Sequence, residues 1–146
     1  TTLTSYSSSD YNGFRPNPNT DISFRWRAPA STTLVDVTNP NYEAQLESRE
    51  FATLTDYAAA TGQDRNSVLL DYDIFVNVPP LDARDSESLQ TLYDAADLDF
   101  RLRSGSAAID RAAVLPGITD GFTGQAPDLG ALEFGAVAPI YGPRPQ

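Results

Sequence analysis

The sequence contains no His, no Cys, no Met and no Lys, so all 10 of its basic residues are Arg. The absence of His and Cys excludes Ser-His and Cys-His nucleophiles and the common zinc, iron and copper sites. The absence of Lys excludes Schiff-base chemistry and the lysine of phosphate-binding loops. Asp, Glu, Tyr, Arg, Ser and Thr remain, and these can bind calcium, bind sugars or carry out carboxylate acid–base catalysis.

Positive charge is also scarce. The 146 residues include 20 acidic and 10 basic side chains, which gives a formal charge of −10 at pH 7. Such a chain repels nucleic-acid phosphates and anionic membrane surfaces. No apolar run reaches the length that a membrane span requires. We therefore expect no nucleic-acid partner and no membrane span.

Length and composition indicate a folded piece of a larger protein. A chain of 146 residues with 40% hydrophobic content suits one domain with a modest core. The sequence starts at Thr1 and lacks Met, which indicates a processed or truncated piece without its signal peptide. Richness in Thr, Ser, Asn and Asp favours an extracellular, secreted protein.

Alternating apolar residues predict several short β-strands. In residues 21–27, Ile22, Phe24 and Trp26 share one face and charged or polar residues share the other, which is typical of a half-buried strand. The same pattern predicts a long strand at residues 68–78 and another at residues 98–103. Shorter strand candidates are residues 34–37, 107–109 and 131–134.

Two short helices are predicted between these strands. Thr53 can cap the first, with Asp56 as its capping-box partner and Gly62 where a C-cap glycine belongs. The second rests on the helical spacing of apolar residues between Leu89 and Ala96. Few strands separated by long loops do not close a sandwich or barrel, so we expect them to pair with a sheet from other polypeptide.

Residues 98–110 read LDFRLRSGSAAID, and residues 120–124 (DGFTG) are followed by APDLGALEFG at residues 126–135. These motifs, in this order, resemble the final coils of secreted bacterial right-handed parallel β-helix proteins of the pectate-lyase-like superfamily. Residues 98–110 are similar to a "D-F-R-L-x-x-G-S-P-A-I-D-x-G" run of that family. Residues 120–124 followed by residues 126–135 (APDLGALEFG) resemble its closing "P-D-x-G-A-x-E" signature. Residues 9–13 and 61–64 resemble segments that precede this ending.

The resemblance implies a fold and a division of the chain. It implies a mainly β structure: terminal coils and the C-terminal cap of a right-handed parallel β-helix, with one or two short helices. Residues 1–135 would form the coils and cap, and residues 136–146 a Pro-rich extended tail. Ala107 replaces the usual Pro, and Arg111-Ala112 stand where Gly is usual, so the loop shape there differs from the family pattern.

The acidic residues offer two kinds of role. Asp10, Asp110 and Asp128 flank tight turns, where a carboxylate can accept backbone N–H bonds and anchor the loop. The alternative for Asp110 and Asp128, together with Glu133, is a carboxylate pair or a calcium site. The family resemblance places catalytic acids on middle coils and therefore favours the anchoring role.

A second acidic pair and an aromatic group are further candidates. Asp71 and Asp73 would share one face of a strand, where they could hold Ca²⁺, act on a glycosidic bond or simply be solvated. Trp26 and Tyr11, with Tyr6, could stack on sugar rings, and Arg25 with Arg27 could pair with an acidic sugar. Packing of Trp26 and ion pairing of the Arg residues are the structural alternatives.

Three functions fit these observations. The first is a non-catalytic C-terminal capping region of a secreted β-helix protein that acts on or binds polysaccharide, with any catalysis elsewhere in the parent lyase or hydrolase. The second is a processed structural subunit of an extracellular surface assembly or filament. The third is an independent carboxylate hydrolase or lyase. The first two predict that apolar faces at residues 21–27 and 68–78 are covered by upstream β-helix polypeptide or by other copies of the chain.

Overall fold

The structure, a computed structural model, describes most of the chain. The described residues are 8–16, 20–29, 35–36, 38–82 and 84–137. The chain divides into two compact units, unit 1 (Thr1–Leu69) and unit 2 (Leu70–Gln146). The described residues are mainly strand, turn and loop, with two short α-helices, and they form no closed barrel or solenoid.

An antiparallel pair of strands forms the frame of unit 1. Strand β2 (Phe24–Pro29) pairs with β3 (Leu46–Phe51) in a register that places Phe24 opposite Phe51 and Arg25 opposite Glu50. The predicted alternation is confirmed from residue 24 onward, because Phe24 and Ala28 are buried while Arg25 and Arg27 are exposed, whereas Ile22 precedes the strand and is 44% exposed. The strand begins later and ends later than the predicted residues 21–27.

Helix α1 (Leu54–Thr61) packs against this strand pair, and its predicted ends are confirmed. Thr53 Oγ1 accepts a hydrogen bond from Asp56 N at 3.1 Å, and Gly62 closes the helix with a φ of 76°. The Asp56 carboxylate accepts from the Thr53 hydroxyl at 2.7 Å, in place of the backbone bond of a capping box. Both ends of the helix are therefore fixed by local side-chain chemistry.

Removal of the N-cap should measure how much this local chemistry contributes. Thr53→Ala is expected to lower the free energy of unfolding of unit 1 by about 1 kcal/mol, because Asp56 N loses its partner. Thr55→Ala, on an exposed position of the same helix, is the matched control and should change stability little. Urea unfolding followed by fluorescence of Trp26, the single Trp, compares the two. Equal effects of the two substitutions would contradict the capping role.

The core of unit 1 is an aromatic cluster beneath α1. Tyr57 of the helix stacks on Phe24 with ring centroids 5.4 Å apart, and Trp26 meets Tyr57 edge-on at 6.2 Å. Phe51 and Phe14 contact the cluster edge-on at 5.7 Å from Tyr57 and 5.4 Å from Phe24. Helix α1 therefore covers Phe24 and Trp26 within the same unit, whereas Ile22 of the predicted face is 44% exposed. The expectation that other polypeptide covers the apolar face of residues 21–27 stays a prediction.

A parallel strand pair joins the two ends of unit 1. Strand β1 (Gly13–Phe14) pairs with β4 (Val68–Leu69), with Gly13 opposite Val68 and Phe14 opposite Leu69. Residues 15–67 lie between the two strands and contain the hairpin and the helix. Chain segments far apart in sequence thus lie side by side in the same direction.

Unit 2 has a second antiparallel pair and a loop-rich end. Strand β5 (Phe75–Asn77) pairs irregularly with β6 (Asp99–Leu102), and helix α2 (Ser86–Gln90) lies between them in sequence. The predicted strand at residues 98–103 is confirmed, and Gly105, with a φ of 76°, lies in the turn that follows it. Leu102, Ala108 and Pro127 are buried in this unit.

Several predicted elements are wrong, and local hydrogen bonding explains one of them. The predicted strand at residues 68–78 is divided into β4 and β5 by a 3₁₀ turn at Tyr72–Ile74, because Asp71 Oδ1 accepts from Tyr72 N at 2.7 Å and starts the turn. The second helix lies at α2 and not over residues 89–96, and a separate 3₁₀ turn occupies Ala95–Asp97. Residues 107–109 and 131–134 form turns and irregular loop.

Other predictions fall on parts of the chain that the structure does not describe. These are Tyr6, Leu34 and Val37 of the candidate strand at residues 34–37, and residues 138–146 of the Pro-rich tail. Within the described ranges, no helix has the length and apolar character needed to cross a membrane.

Candidate functional site

The most connected polar group of unit 1 is the carboxylate of Asp64, which links residues at both ends of the unit. Its Oδ1 accepts hydrogen bonds from Ser9 Oγ at 3.0 Å, Asn12 Nδ2 at 2.7 Å and Ser67 Oγ at 2.9 Å. Asp64 is 3% exposed and has a φ of 54°, a left-handed conformation that Asp tolerates better than most residues. A buried carboxylate with several donors is a strong structural contact.

Asp10 also links the two segments, because its carboxylate accepts hydrogen bonds from Asn66. Its Oδ1 accepts from Asn66 N at 2.7 Å and from Tyr11 N at 2.9 Å, and its Oδ2 accepts from Asn66 Nδ2 at 2.7 Å. Desolvation acts to raise the pKa of Asp10, but these hydrogen bonds and the charge of Arg65 together hold it below its usual value. We call the six side chains of these two networks the coil clamp: Ser9, Asp10, Asn12, Asp64, Asn66 and Ser67.

The coil clamp positions the parallel strands. Asp64 N donates to the carbonyl of Ser9 at 2.7 Å, and Val68 N donates to the carbonyl of Asn12 at 2.9 Å. Asn12 N donates to Ser67 Oγ at 2.8 Å. Backbone and side-chain hydrogen bonds therefore connect residues 9–12 to residues 64–68, directly before and at the start of the paired strands. They fix the register of β1 on β4.

In unit 2, Asp110 and Asp128 hold one compact loop. Asp110 Oδ1 accepts from Gln125 N at 2.7 Å and Ala126 N at 3.1 Å, while Asp110 N donates to Asp128 Oδ1 at 2.7 Å. Asp128 Oδ2 accepts from Phe134 N at 2.6 Å. Both carboxylates are thus engaged with backbone N–H groups, the geometry of turn anchors.

Glu133 belongs to the same loop, which we call the Asp110 loop. Its Oε1 accepts from Asp128 N at 3.0 Å, whereas its buried Oε2 has no hydrogen-bond partner among the described residues. Leu129 N donates to the carbonyl of Ala108 at 2.9 Å and Ala112 N to the carbonyl of Pro127 at 2.8 Å. These bonds therefore join residues 108–112 to residues 125–134, and the Asp110 loop consists of these two segments.

Asp71 and Asp73 lie in a different setting from the one predicted. They do not share a strand face, because Asp71 is the N-cap of the 3₁₀ turn and Asp73 lies inside it. Among the described residues, no group of three or more acidic side chains is arranged to hold a metal ion. The strand face on which we expected both carboxylates to lie is therefore absent at these residues. Calcium binding by this pair stays a prediction.

The three residues predicted to contact sugar do not meet at one site. Arg25 lines a cleft of about 230 Å³ together with Phe14, Arg15, Ser23, Phe24 and Tyr57. Trp26 is half-buried beside Tyr57, and Tyr11 is 38% exposed with a φ of 56° in the turn before β1. Neither Trp26 nor Tyr11 is among the residues lining the cleft.

Tyr57 connects the aromatic core to the coil clamp. Its pKa is raised above the usual value, first by desolvation and then by the charge of Asp64 and a hydrogen bond to that carboxylate. The folded state favours the neutral phenol of Tyr57. The stabilisation that results is therefore complete below about pH 10, the pKa of tyrosine in an unfolded chain. It is lost as the pH rises through the higher pKa that Tyr57 has in the folded state.

Alkaline titration should therefore unfold unit 1 as Tyr57 ionises. We expect Trp26 fluorescence to report a transition above about pH 10, coincident with the last fraction of tyrosinate absorbance. Tyr57→Phe should separate the two signals, because the fold then contains no ionising group at that position. Ionisation of all tyrosines with no change at Trp26 would contradict this coupling.

The role of Asp64 does not follow from the sequence alone. The residue ends the motif at residues 61–64, and an Asp followed by Arg-Asn-Ser has the composition of a turn, which is the only local signal at this position. Its partners Ser9 and Asn12 are more than 50 positions away, so no local signal marks them as neighbours.

Comparisons with known proteins add no relative. No family model, no curated protein and no solved structure matches the chain. The coil clamp, the Asp110 loop and the cleft are the features of the described residues that bear on function.

Proposed function

We propose that this chain is the non-catalytic C-terminal capping region of a secreted, extracellular β-helix protein that acts on or binds polysaccharide. The observation that supports this most is the parallel pairing of β1 with β4, held by the coil clamp. Parallel strands from successive turns of the chain, with residues 15–67 as the excursion between them, have the connectivity of one coil stacked on the next.

The Asp110 loop supports a closing role. A solenoid exposes apolar and backbone groups at its end, and irregular structure must cover them. After β6 the described chain contains turns and loops, tied together by Asp110 and Asp128 and packed on buried Leu102, Ala108 and Pro127. Several backbone N–H groups of this segment donate to carboxylates of the same segment. Its described residues contain no strand on which a further coil could pair.

The core is small, which fits a piece that depends on preceding coils. Within the described residues, the buried hydrophobic side chains are Phe24, Ala28, Tyr57, Leu102 and Ala108, together with the rings of Pro29 and Pro127. Large apolar side chains are exposed in both units, among them Leu69 at 53%, Phe100 at 54% and Ile118 at 78%. In the proposed parent, upstream β-helix polypeptide covers part of this surface and carries any catalytic acids.

The reading frame that encodes this chain, together with a stability comparison, tests the proposal. We expect β-helix coils directly upstream, and we expect the chain joined to its upstream coils to melt well above the isolated chain. Hydrogen exchange at β1 should slow when the upstream coils are present, because its open edge becomes paired. A reading frame without such coils, or unchanged exchange at β1, would reject the capping role.

A second function follows from the exposed apolar residues and from the two-stranded sheets, whose outer edges pair with no further strand among the described residues. The chain could be a structural subunit of an extracellular assembly, in which other copies supply the pairing strands. Sedimentation over a range of concentrations separates the two functions. Reversible assembly of the chain into oligomers favours this second function, whereas a monomer that is stabilised only by upstream coils favours the cap.

A further inference from the structure

The connection between β5 and β6 is far longer than the pairing of these strands requires. Two antiparallel strands can be joined by a turn of about two residues, whereas residues 78–98 separate Asn77 from Asp99. Connections longer than about 12–15 residues are uncommon in compact domains and are often functional. Helix α2 lies in this connection and buries none of its residues. Burial of α2 therefore does not account for the excursion.

The exposed apolar residues of this connection have helical spacing. Leu89, Leu92 and Tyr93 are 54%, 99% and 44% exposed, and together with the exposed Ala96 they occupy positions i, i+3, i+4 and i+7. This is the spacing with which an amphipathic helix places its anchors on the apolar surface of a partner. We call residues 85–97 the α2 segment. A continuous helix over this segment would present all four side chains on one face.

The structure contains only the first part of this helix. The Asp85 carboxylate caps α2 by accepting from Glu87 N at 3.0 Å. The helix ends at Gln90, and Thr91 is extended, with a φ of −64° and a ψ of 125°. Residues 86–104 contain no Gly and no Pro, so none of the usual stop residues ends the helix at this point.

Acidic residues beyond Gln90 explain why the helix stops there. The carboxylate of Asp94 accepts a hydrogen bond from Ala96 N at 2.9 Å and starts a separate 3₁₀ turn, which competes with a continuing helix. Asp94 and Asp97 would also lie at the C-terminal end of an extended helix, where the helix dipole disfavours negative charge. A cation beside these carboxylates removes the second obstacle, and it weakens the first because it competes for the Asp94 oxygens.

The negative charge of the α2 segment is not neutralised within the described structure. The segment contains no basic residue and four acidic ones, none of which forms a salt bridge with a described residue: Asp85, Glu87, Asp94 and Asp97. The nearest Arg in sequence, Arg84, is paired with Asp82 at 3.0 Å. A second copy of the chain is a poor occupant, because it brings the same net charge of −10. The complement of this segment is an apolar surface with basic residues around it.

We propose that the α2 segment docks as one continuous helix against an apolar surface of a partner protein that is rimmed by Lys or Arg. The four apolar side chains contact the apolar surface, and the basic rim pairs with Asp94 and Asp97. Docking covers side chains that the isolated chain leaves in water, and neutralisation of the two acids lets residues 91–97 join α2. The proposal does not depend on the capping role, because every group that it uses belongs to the α2 segment itself.

A designed helical peptide provides the partner surface, with Leu at the a and d positions of each heptad and Lys at e and g. Its titration into the isotope-labelled 146-residue chain is expected to shift the NMR amide signals of Leu92 and Tyr93. The Cα signals of residues 91–96 should move toward helical values at the same time. The same peptide with Glu in place of Lys should leave both sets of signals unchanged, because it meets like charge at the segment.

Two substitutions test whether the apolar anchors direct the binding. Leu92→Ser should weaken binding of the Lys peptide about tenfold, and it leaves the core intact because Leu92 is 99% exposed. Ile118→Ser is the matched control. It removes an apolar side chain of unit 2 that is 78% exposed but lies outside the α2 segment, and it should leave binding unchanged.

Asp94→Ala tests the helix extension without any partner. The substitution removes the cap of the competing turn and one negative charge from the helix end, so the Cα signals of residues 91–96 are expected to move toward helical values in the free chain. Asp85→Ala removes the N-cap of α2 and should move the signals of residues 86–90 in the opposite direction. Unchanged signals at residues 91–96 in Asp94→Ala would contradict the extension.

Four results would overturn the docking site. They are the absence of shifts with the Lys peptide at about 1 mM, a concentration that detects weak complexes, equal shifts with the Glu peptide, binding without a helical change at residues 91–96, and equal weakening by Ile118→Ser. Phosphatidylcholine vesicles are titrated in parallel. Tighter binding to these vesicles than to the Lys peptide would assign the exposed side chains to a lipid surface and reject the protein partner.

Discussion

Asp64→Ala is expected to lower the free energy of unfolding of unit 1 by about 3 kcal/mol. The substitution leaves Ser9 Oγ, Asn12 Nδ2 and Ser67 Oγ without their common acceptor in a buried setting. It also places Ala at a φ of 54°, which costs a non-glycine, non-Asx residue further stability. Loss of the clamp should separate β1 from β4, because that pair is only two residues long on each side.

Two comparison variants separate charge from backbone effects. Asp64→Asn keeps the size and the left-handed preference and retains one acceptor oxygen, so its cost should be smaller than that of Asp64→Ala. Asp21→Ala removes an exposed acid of unit 1 and should stay within about 0.5 kcal/mol of the unsubstituted chain. Urea unfolding monitored at Trp26, which lies in the same unit, gives the three values. A cost for Asp64→Ala no larger than that for Asp21→Ala would contradict the coil clamp.

Gly124→Ala is expected to destabilise the Asp110 loop by about 3 kcal/mol. A Cβ at this position would overlap Asp110 Oδ1, the atom that accepts from Gln125 N and Ala126 N. The φ of 112° adds backbone strain for any L side chain. Either the carboxylate moves and loses its two N–H donors or the backbone moves, and both outcomes open the loop.

Gly121→Ala is the matched control for this substitution. It has a φ of 87° and no atom within 4 Å of the added Cβ, so it carries backbone strain without the overlap. Asp110→Gly combined with Gly124→Ala should cost less than the sum of the single changes, because removal of the carboxylate removes the overlap. Hydrogen exchange at the Gln125 and Ala126 amides reports the loop directly. Additive effects in the double variant would contradict the predicted contact.

Local chemistry explains which parts of the fold could be predicted from sequence. Helix α1 depends on Thr53, Asp56 and Gly62, which act within their own turns, and β2 depends on alternation of neighbouring residues. Strand β3 was missed because residues 47–50 are polar, and its extended form depends on pairing with β2. Periodicity alone assigns residues 68–78 to one strand, but the 3₁₀ turn after Asp71 interrupts it.

The candidate sites also differ in how far local sequence predicts them. The turn roles proposed for Asp10, Asp110 and Asp128 follow from residue type and adjacent turn residues, which are local information. The role of Asp64 depends on Ser9 and Asn12, and the cleft depends on Phe14, Arg25 and Tyr57. These groups come from distant segments, and only the fold brings them together.

The parallel pairing of β1 with β4 is the observation on which the account most depends. Assigned NMR spectra of the 146-residue chain test it through backbone contacts between hydrogen nuclei of the two strands. We predict cross-strand contacts in the register Gly13 with Val68 and Phe14 with Leu69, together with slow exchange of the Val68 amide, which donates to the carbonyl of Asn12. A folded chain in which these contacts are missing, or in which they indicate antiparallel strands, would contradict the account.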